Sequence, residues 1–145
     1  MKTYRIGILG LHHDHIWPNL EELSFPPQIV QAGQTTLTIN VKIPAPFKLN
    51  PGSPLEYQVE VDGAQTESGF RLPEEDGQFP IEIPLDFAGD ETELRVAVGL
   101  VYCKDGEDGV CLIKSLRWTV PVETGSDGDN ALRIDHPLVP EWPGV

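Results

Sequence analysis

The chain has 145 residues and a mass of 16.0 kDa, enough for one domain that buries a core without obligatory disulfides. Its net charge is -13, from 23 acidic against 10 basic residues, and no Lys/Arg cluster is present to neutralise a run of phosphates, which argues against nucleic acid and anionic membrane surfaces as partners. No apolar run approaches the length of a membrane span, and 14 prolines and 14 glycines spaced between strand-like runs point to an all-β domain with tight turns.

The first segment, TYRIGILGL, is an apolar β-like run ending in glycine. DHIWPNLEEL follows, with Asp14 as a capping-type residue, and predicts a short helix interrupted by Pro18. The stretch IGILGL is cut off by a polar cluster with no small-residue cleavage site, so no signal peptide is expected and the chain as given reads as cytoplasmic. The line YRIGILGLHHDHIW resembles the opening of the nucleotide-binding domain of Gfo/Idh/MocA-type oxidoreductases, over residues 1–23. In that family the turn is a glycine-rich fingerprint that lets the backbone approach a pyrophosphate. Here Gly7 and Gly10 remain, and His12 stands where a second close-approach glycine is expected. The further βα units of a dinucleotide site do not follow. Residues 1–24 are therefore expected to be a fragment outside the main domain, 25–145, with no cofactor. His12, His13, Asp14 and His15 are adjacent, and adjacent residues rarely converge on one ion without distant ligands, so they read as a solvated turn and no metal is expected.

From residue 27 onward the pattern alternates. TTLTINVKI places Leu37, Ile39, Val41 and Ile43 on one face, and LEYQVEVDG does the same with Leu55, Tyr57, Val59 and Val61 before Asp62 and Gly63 end it. SGFRLPEEDG reads as a loop. QFPIEIPLDF sets Phe79, Ile81, Ile83, Leu85 and Phe87 on one face with Pro80 and Pro84 on the other, which predicts an edge or bulged strand. Two longer strands, TELRVAVGLVYC and VCLIKSLRWTVPV, flank a turn rich in Gly and Asp; an acidic linker, ETGSDGDN, leads to a last strand, ALRIDHPL. Together these predict an immunoglobulin-like antiparallel β-sandwich.

Both cysteines of the chain, Cys103 and Cys111, lie beside that turn. A hairpin centred on Glu107 makes them direct partners, and the same register pairs Tyr102 with Leu112, Val98 with Leu116 and Val96 with Trp118, one apolar set on one face. The cysteines belong to the other face, with Gly99, Val101, Ile113, Ser115 and Arg117. A cross-strand disulfide is feasible there. Zinc would need two further ligands that the sequence does not supply at a suitable spacing. Three readings stay open: a structural staple, a redox pair, and two small residues near a turn. Lys104 and Lys114 are the nearest cations in sequence, while Asp105, Glu107 and Asp108 crowd the turn and should raise a thiol's pKa, so any exchange is expected to be slow and partner-dependent.

The block LVYCKDGEDGVCLIKSLRWTVPV resembles the cysteine hairpin in the C-terminal domain of thioredoxin/NHL-repeat proteins, and FKLNPGSPLEYQVEVDG resembles an earlier strand pair of that domain. More distantly it is similar to the N-terminal domain of DsbD-type thiol:disulfide interchange proteins, in which a Tyr, a Cys, a short Gly-containing turn, a second Cys and a later TVP occur in that order. Tyr102, Cys103, Cys111 and Thr119 to Pro121 are the matching positions. The resemblance implies an immunoglobulin-like domain that passes electrons through Cys103 and Cys111, which makes them the candidate catalytic residues, with a thioredoxin-fold partner. It also implies a periplasmic setting if the start of the protein differs. Thiol-disulfide exchange is thus the first functional expectation. A non-catalytic interaction module with a staple or inert thiols is the second, and a remnant of an NAD(P)-dependent oxidoreductase the third.

Overall fold

The computed structural model describes residues 17–73, 78–87, 91–104 and 111–140. Their strands are β1 (Leu20–Ser24), β2 (Gln28–Val30), β3 (Gly33–Lys42), β4 (Phe47–Leu49), β5 (Leu55–Val61), β6 (Ala64–Arg71), β7 (Ile81–Phe87), β8 (Glu91–Lys104), β9 (Cys111–Thr124) and β10 (Ala131–Pro137). They form two sheets. The larger runs β1-β9-β8-β5-β6, with β2 also on β9 and β4 also on β8; the smaller runs β10-β3-β7.

The apolar alternation explains how the sheets meet. Leu37, Ile39 and Val41 of β3, with Ile81, Ile83, Leu85 and Phe87 of β7, face Leu94, Val96, Val98, Leu100 and Tyr102 of β8 and Leu116, Trp118, Val120 and Val122 of β9 in one buried core. The expected all-β sandwich is therefore present. Trp118 also meets His136 of β10, ring centroids 5.6 Å apart, and so ties the larger sheet to the smaller.

Four details differ from the sequence expectation. The helix foreseen through residues 14–23 is replaced over Leu20–Ser24 by β1, which pairs in parallel with Ser115–Thr119 of β9. Leu20 and Leu23 sit at helical spacing, but Asn19 takes a φ of 54° and the chain turns onto the open edge of β9. Hence residues expected to lie outside the sandwich supply one of its strands; residues 1–16 fall outside the described part. Next, the sheets are mixed rather than antiparallel, because β1 and β2 run parallel to β9 and β10 parallel to β3. Ser68–Arg71, read as loop, belong to β6. That strand is largely exposed on both faces, so it carries no hydrophobic period and is held by backbone pairing to β5. Finally, β2 and β4 span only three residues each, too short to show a period.

β7 lies at the edge of its sheet, as its prolines predict, with Pro84 opposite Thr36. No helix among the described residues is long and apolar enough to cross a membrane.

Candidate functional site

The site is built by the longest hairpin of the fold. β8 and β9 are each 14 residues long and pair from Glu91–Glu123 to Cys103–Cys111. Every pair expected from a turn centred on Glu107 is present: Tyr102 faces Leu112, Val98 faces Leu116 and Val96 faces Trp118. The register holds because a slip of one residue would turn the whole apolar set of both strands to the outer face. Residues 105–110 of the turn itself lie outside the described residues.

At the turn end of this hairpin Cys103 and Cys111 are joined in a disulfide with Cα atoms 4.0 Å apart. As residues, Cys111 is exposed and Cys103 half-buried. Neither belongs to the core cluster, since strand alternation puts them on the outer face while Tyr102 beside them is buried inside against Phe47, ring centroids 5.7 Å apart.

The next row inward on the same face is Val101 opposite Ile113, and Ile113 remains 49% exposed. Beyond it Gly99 faces Ser115, and the missing side chain makes room for Trp17: a Cβ at Gly99 would lie 3.2 Å from the Trp17 ring. These rows floor a cleft of about 230 Å³ walled by Trp17 and Pro18 on one side and by Ser53, Pro54 and Glu56 on the other. The Asn19 side chain, donating through Nδ2 to the Ile113 carbonyl oxygen at 3.0 Å, fixes the Trp17 wall to β9. The disulfide lies one row beyond the Val101 and Ile113 end of this mainly apolar cleft, on the same face of the sheet.

The cations near the cysteines in sequence are not the ones beside them in space. Lys104 and Lys114 are an odd number of residues from their cysteines, which puts both on the opposite side of the sheet. Lys104 pairs with Phe47, whereas Lys114 is only 4% exposed and reaches Glu21 of β1 through Nζ at 3.1 Å. Among the described residues, the cation in the cysteines' own row on that face is Lys48 of β4, whose direct cross-strand partner is Cys103, while Arg117 and Arg95 lie several rows further along. Lys48, Cys103 and Cys111 thus form one row across three strands. Sequence reasoning missed Lys48 because it is far away along the chain and, although the resemblance implies a strand at FKL, three residues do not show which strand it joins.

On the edge beyond β9, Arg117 binds Glu22 through Nε and Nη2, and this arginine beside Glu22 holds its carboxyl below the usual range. Glu21 and Glu22, on opposite faces of β1, thus each meet a cation of β9. His136 lies on the inner side; burial pushes its pKa below the ordinary 6.5, with Glu21 pulling it up and Lys114 pushing it down. Among the described residues no group of three or more His, Cys, Asp and Glu could hold a metal ion. Gly7, Gly10 and the run His12 to His15 lie outside those residues.

Fold and site together define an all-β, two-sheet protein with an accessible cross-strand disulfide. No family model matches the chain, and no curated protein matches it either.

Proposed function

We propose that the domain is a thiol-disulfide exchange module, acting through Cys103 and Cys111 with a thioredoxin-fold protein or domain. The observation that carries this reading is the placement of the disulfide: outside the core, with Cys111 exposed, one row beyond the Val101 and Ile113 end of an apolar cleft. Exchange requires a thiolate to approach a sulfur in line with the bond, so access matters before any electronic tuning. The cleft gives the chain flanking a partner's cysteine something apolar to rest on, and the half-exposed Ile113 is the contact nearest the sulfurs. The reading carries with it the immunoglobulin-like class of sandwich that the DsbD-type resemblance implies.

The chemistry is a two-electron transfer in either direction. For reduction of this domain, a partner thiolate attacks one sulfur, the Cys103–Cys111 bond breaks, and the electron pair leaves on the other cysteine as thiolate. The partner's second thiol then attacks the mixed disulfide, leaving the partner oxidised and this domain as dithiol.

The deciding measurement is the reduction potential of the pair, by equilibration with glutathione buffers and counting of free thiols by mass spectrometry. We expect a value between about -270 and -120 mV, the span of exchange proteins. A value below about -300 mV would make the bond a staple and the domain a non-catalytic module.

A further inference from the structure

Resting on the exchange reading, we propose that Lys48 is the positioning residue that sets the polarity of the Cys103–Cys111 bond, by holding its ammonium group beside the Cys103 sulfur when that sulfur becomes a thiolate. The pairing of Lys48 with Cys103 puts their Cβ atoms about 5 Å apart on one face, within reach of a side chain as long as lysine's. Cys111 lies on the far side of Cys103 from β4, one strand further from Lys48. A cation close to one sulfur of a disulfide makes that sulfur the better leaving group, because the negative charge that develops there is stabilised.

Exposure favours the same assignment. Cys111 is the exposed residue of the pair and Cys103 the half-buried one. A partner thiolate therefore attacks Cys111 Sγ, the Sγ–Sγ bond breaks, and its electron pair goes to Cys103 Sγ beside Lys48. The new bond joins the partner to Cys111. In the reverse direction Cys111 attacks a partner disulfide, and the Cys103 thiolate resolves the mixed disulfide.

The surrounding charges that face Cys103 can be named. From β4 there is Lys48; on β8 the neighbouring Lys104 is on the opposite side of the sheet. On β5, Glu56 is level with Gly99, four residues and roughly 13 Å along the sheet. On β9, Arg117 pairs with Ala97, further away still. Asp105, Glu107 and Asp108 are the opposing charges in sequence and lie outside the described residues. Lys48 is exposed, so its influence is screened by salt, which gives the test a second axis.

The experiment uses the full chain carrying Cys111→Ser, in which Cys103 is the single thiol, with residue 48 as Lys, Arg, Met or Glu. The pH dependence of Cys103 alkylation gives its pKa at low and high ionic strength. Lys48→Met is expected to raise that pKa by about 0.5, Lys48→Glu to raise it further, and Lys48→Arg to leave it unchanged, with the differences shrinking at high salt. In the two-cysteine protein, Lys48→Met should slow reductive cleavage by dithiothreitol about twofold and Lys48→Glu more. A Cys103 pKa that is the same for all four residues at low salt would overturn the proposal. If the pKa order follows charge but the wild-type potential is that of a staple, the exchange reading fails and the role of Lys48 in polarising the bond stands. A potential in the exchange range with a flat pKa series removes Lys48 alone.

Discussion

Gly128 shows how much one absent Cβ contributes. A Cβ there would lie 2.3 Å from the Val30 carbonyl carbon and 2.6 Å from its Cα, in a loop joined to β2 by the bonds Gly125 N–H to Val30 O and Gln31 N–H to Asp129 O, both 2.9 Å. Backbone cannot move aside as a side-chain tip can, so Gly128→Ala should destabilise by about 1–3 kcal/mol in urea unfolding. Gly52→Ala, with nothing within 4 Å of the added carbon, should change stability by less than about 0.5 kcal/mol. Lys114 is the other residue whose worth depends on its surroundings. It lies on the core face with its ammonium on Glu21. Replacing a nearly buried charge by an apolar group of similar length is often neutral, so Lys114→Met should remain within about 1 kcal/mol of wild type, whereas Glu21→Ala, which removes the carboxylate and keeps the ammonium, should lose about 1–2 kcal/mol. A ranking in the reverse order would mean that the Lys114 ammonium contributes through contacts beyond Glu21 that an apolar side chain does not replace.

Among the elements, the β8–β9 hairpin is the one whose strands, register and cysteine pairing were all legible in the sequence. Its strands are long, adjacent in the chain and apolar on one face, so only one register buries that face. The disulfide joins residues separated by 8 positions in strands that are already paired. A loop so short contributes about 2.5 kcal/mol at most in the chain-entropy account. Reduction, or Cys103→Ser with Cys111→Ser, should therefore leave a folded sandwich that unfolds in urea with no more than that loss; unfolding on reduction alone would show that the bond carries the fold. β6 was missed although its start was marked. Asp62 and Gly63 have φ of 50° and 83°, the positive values a two-residue primed hairpin turn needs, and Val61 pairs with Ala64 across it. In the sequence the Asp-Gly pair marks the end of one strand; in the structure it is also the turn into the next.

For the molecule as a whole, what matters is how the two sheets are held together, and His136 against Trp118 is a titratable part of that contact. Burial depresses the His136 pKa below 6.5, so the unfolded chain takes up that proton more readily than the folded one. Stability is then full above about pH 6.5 and is lost as pH falls through the folded pKa. Urea midpoints should drop between pH 7.5 and 5.5 in the wild type and hold steadier in His136→Gln; equal slopes in both proteins would remove His136 from the interface energetics. The arginine-bonded carboxylates Glu22 and Asp135 have lowered pKa values, so whatever they add is lost only at more acid pH, which separates the two effects.

The sequence by itself determined what depends on neighbours along the chain: the strands that alternate, the edge position of the proline-bearing β7, and the facing of Cys103 and Cys111. A period of two and a tight turn are local, and each can be read from a dozen residues. Only the tertiary structure decided which distant segments complete the sheets. It put β1 and β2 on the outer edge of β9, set β10 parallel to β3, and brought Lys48 of β4 beside Cys103. Those pairings are made through backbone groups that every residue carries: β1, β2 and β4 are too short to show a hydrophobic period, and β10, whose alternation is legible, carries nothing that names its neighbour. The charges that surround the sulfurs follow from which strand becomes the neighbour, not from which residue is nearest in sequence.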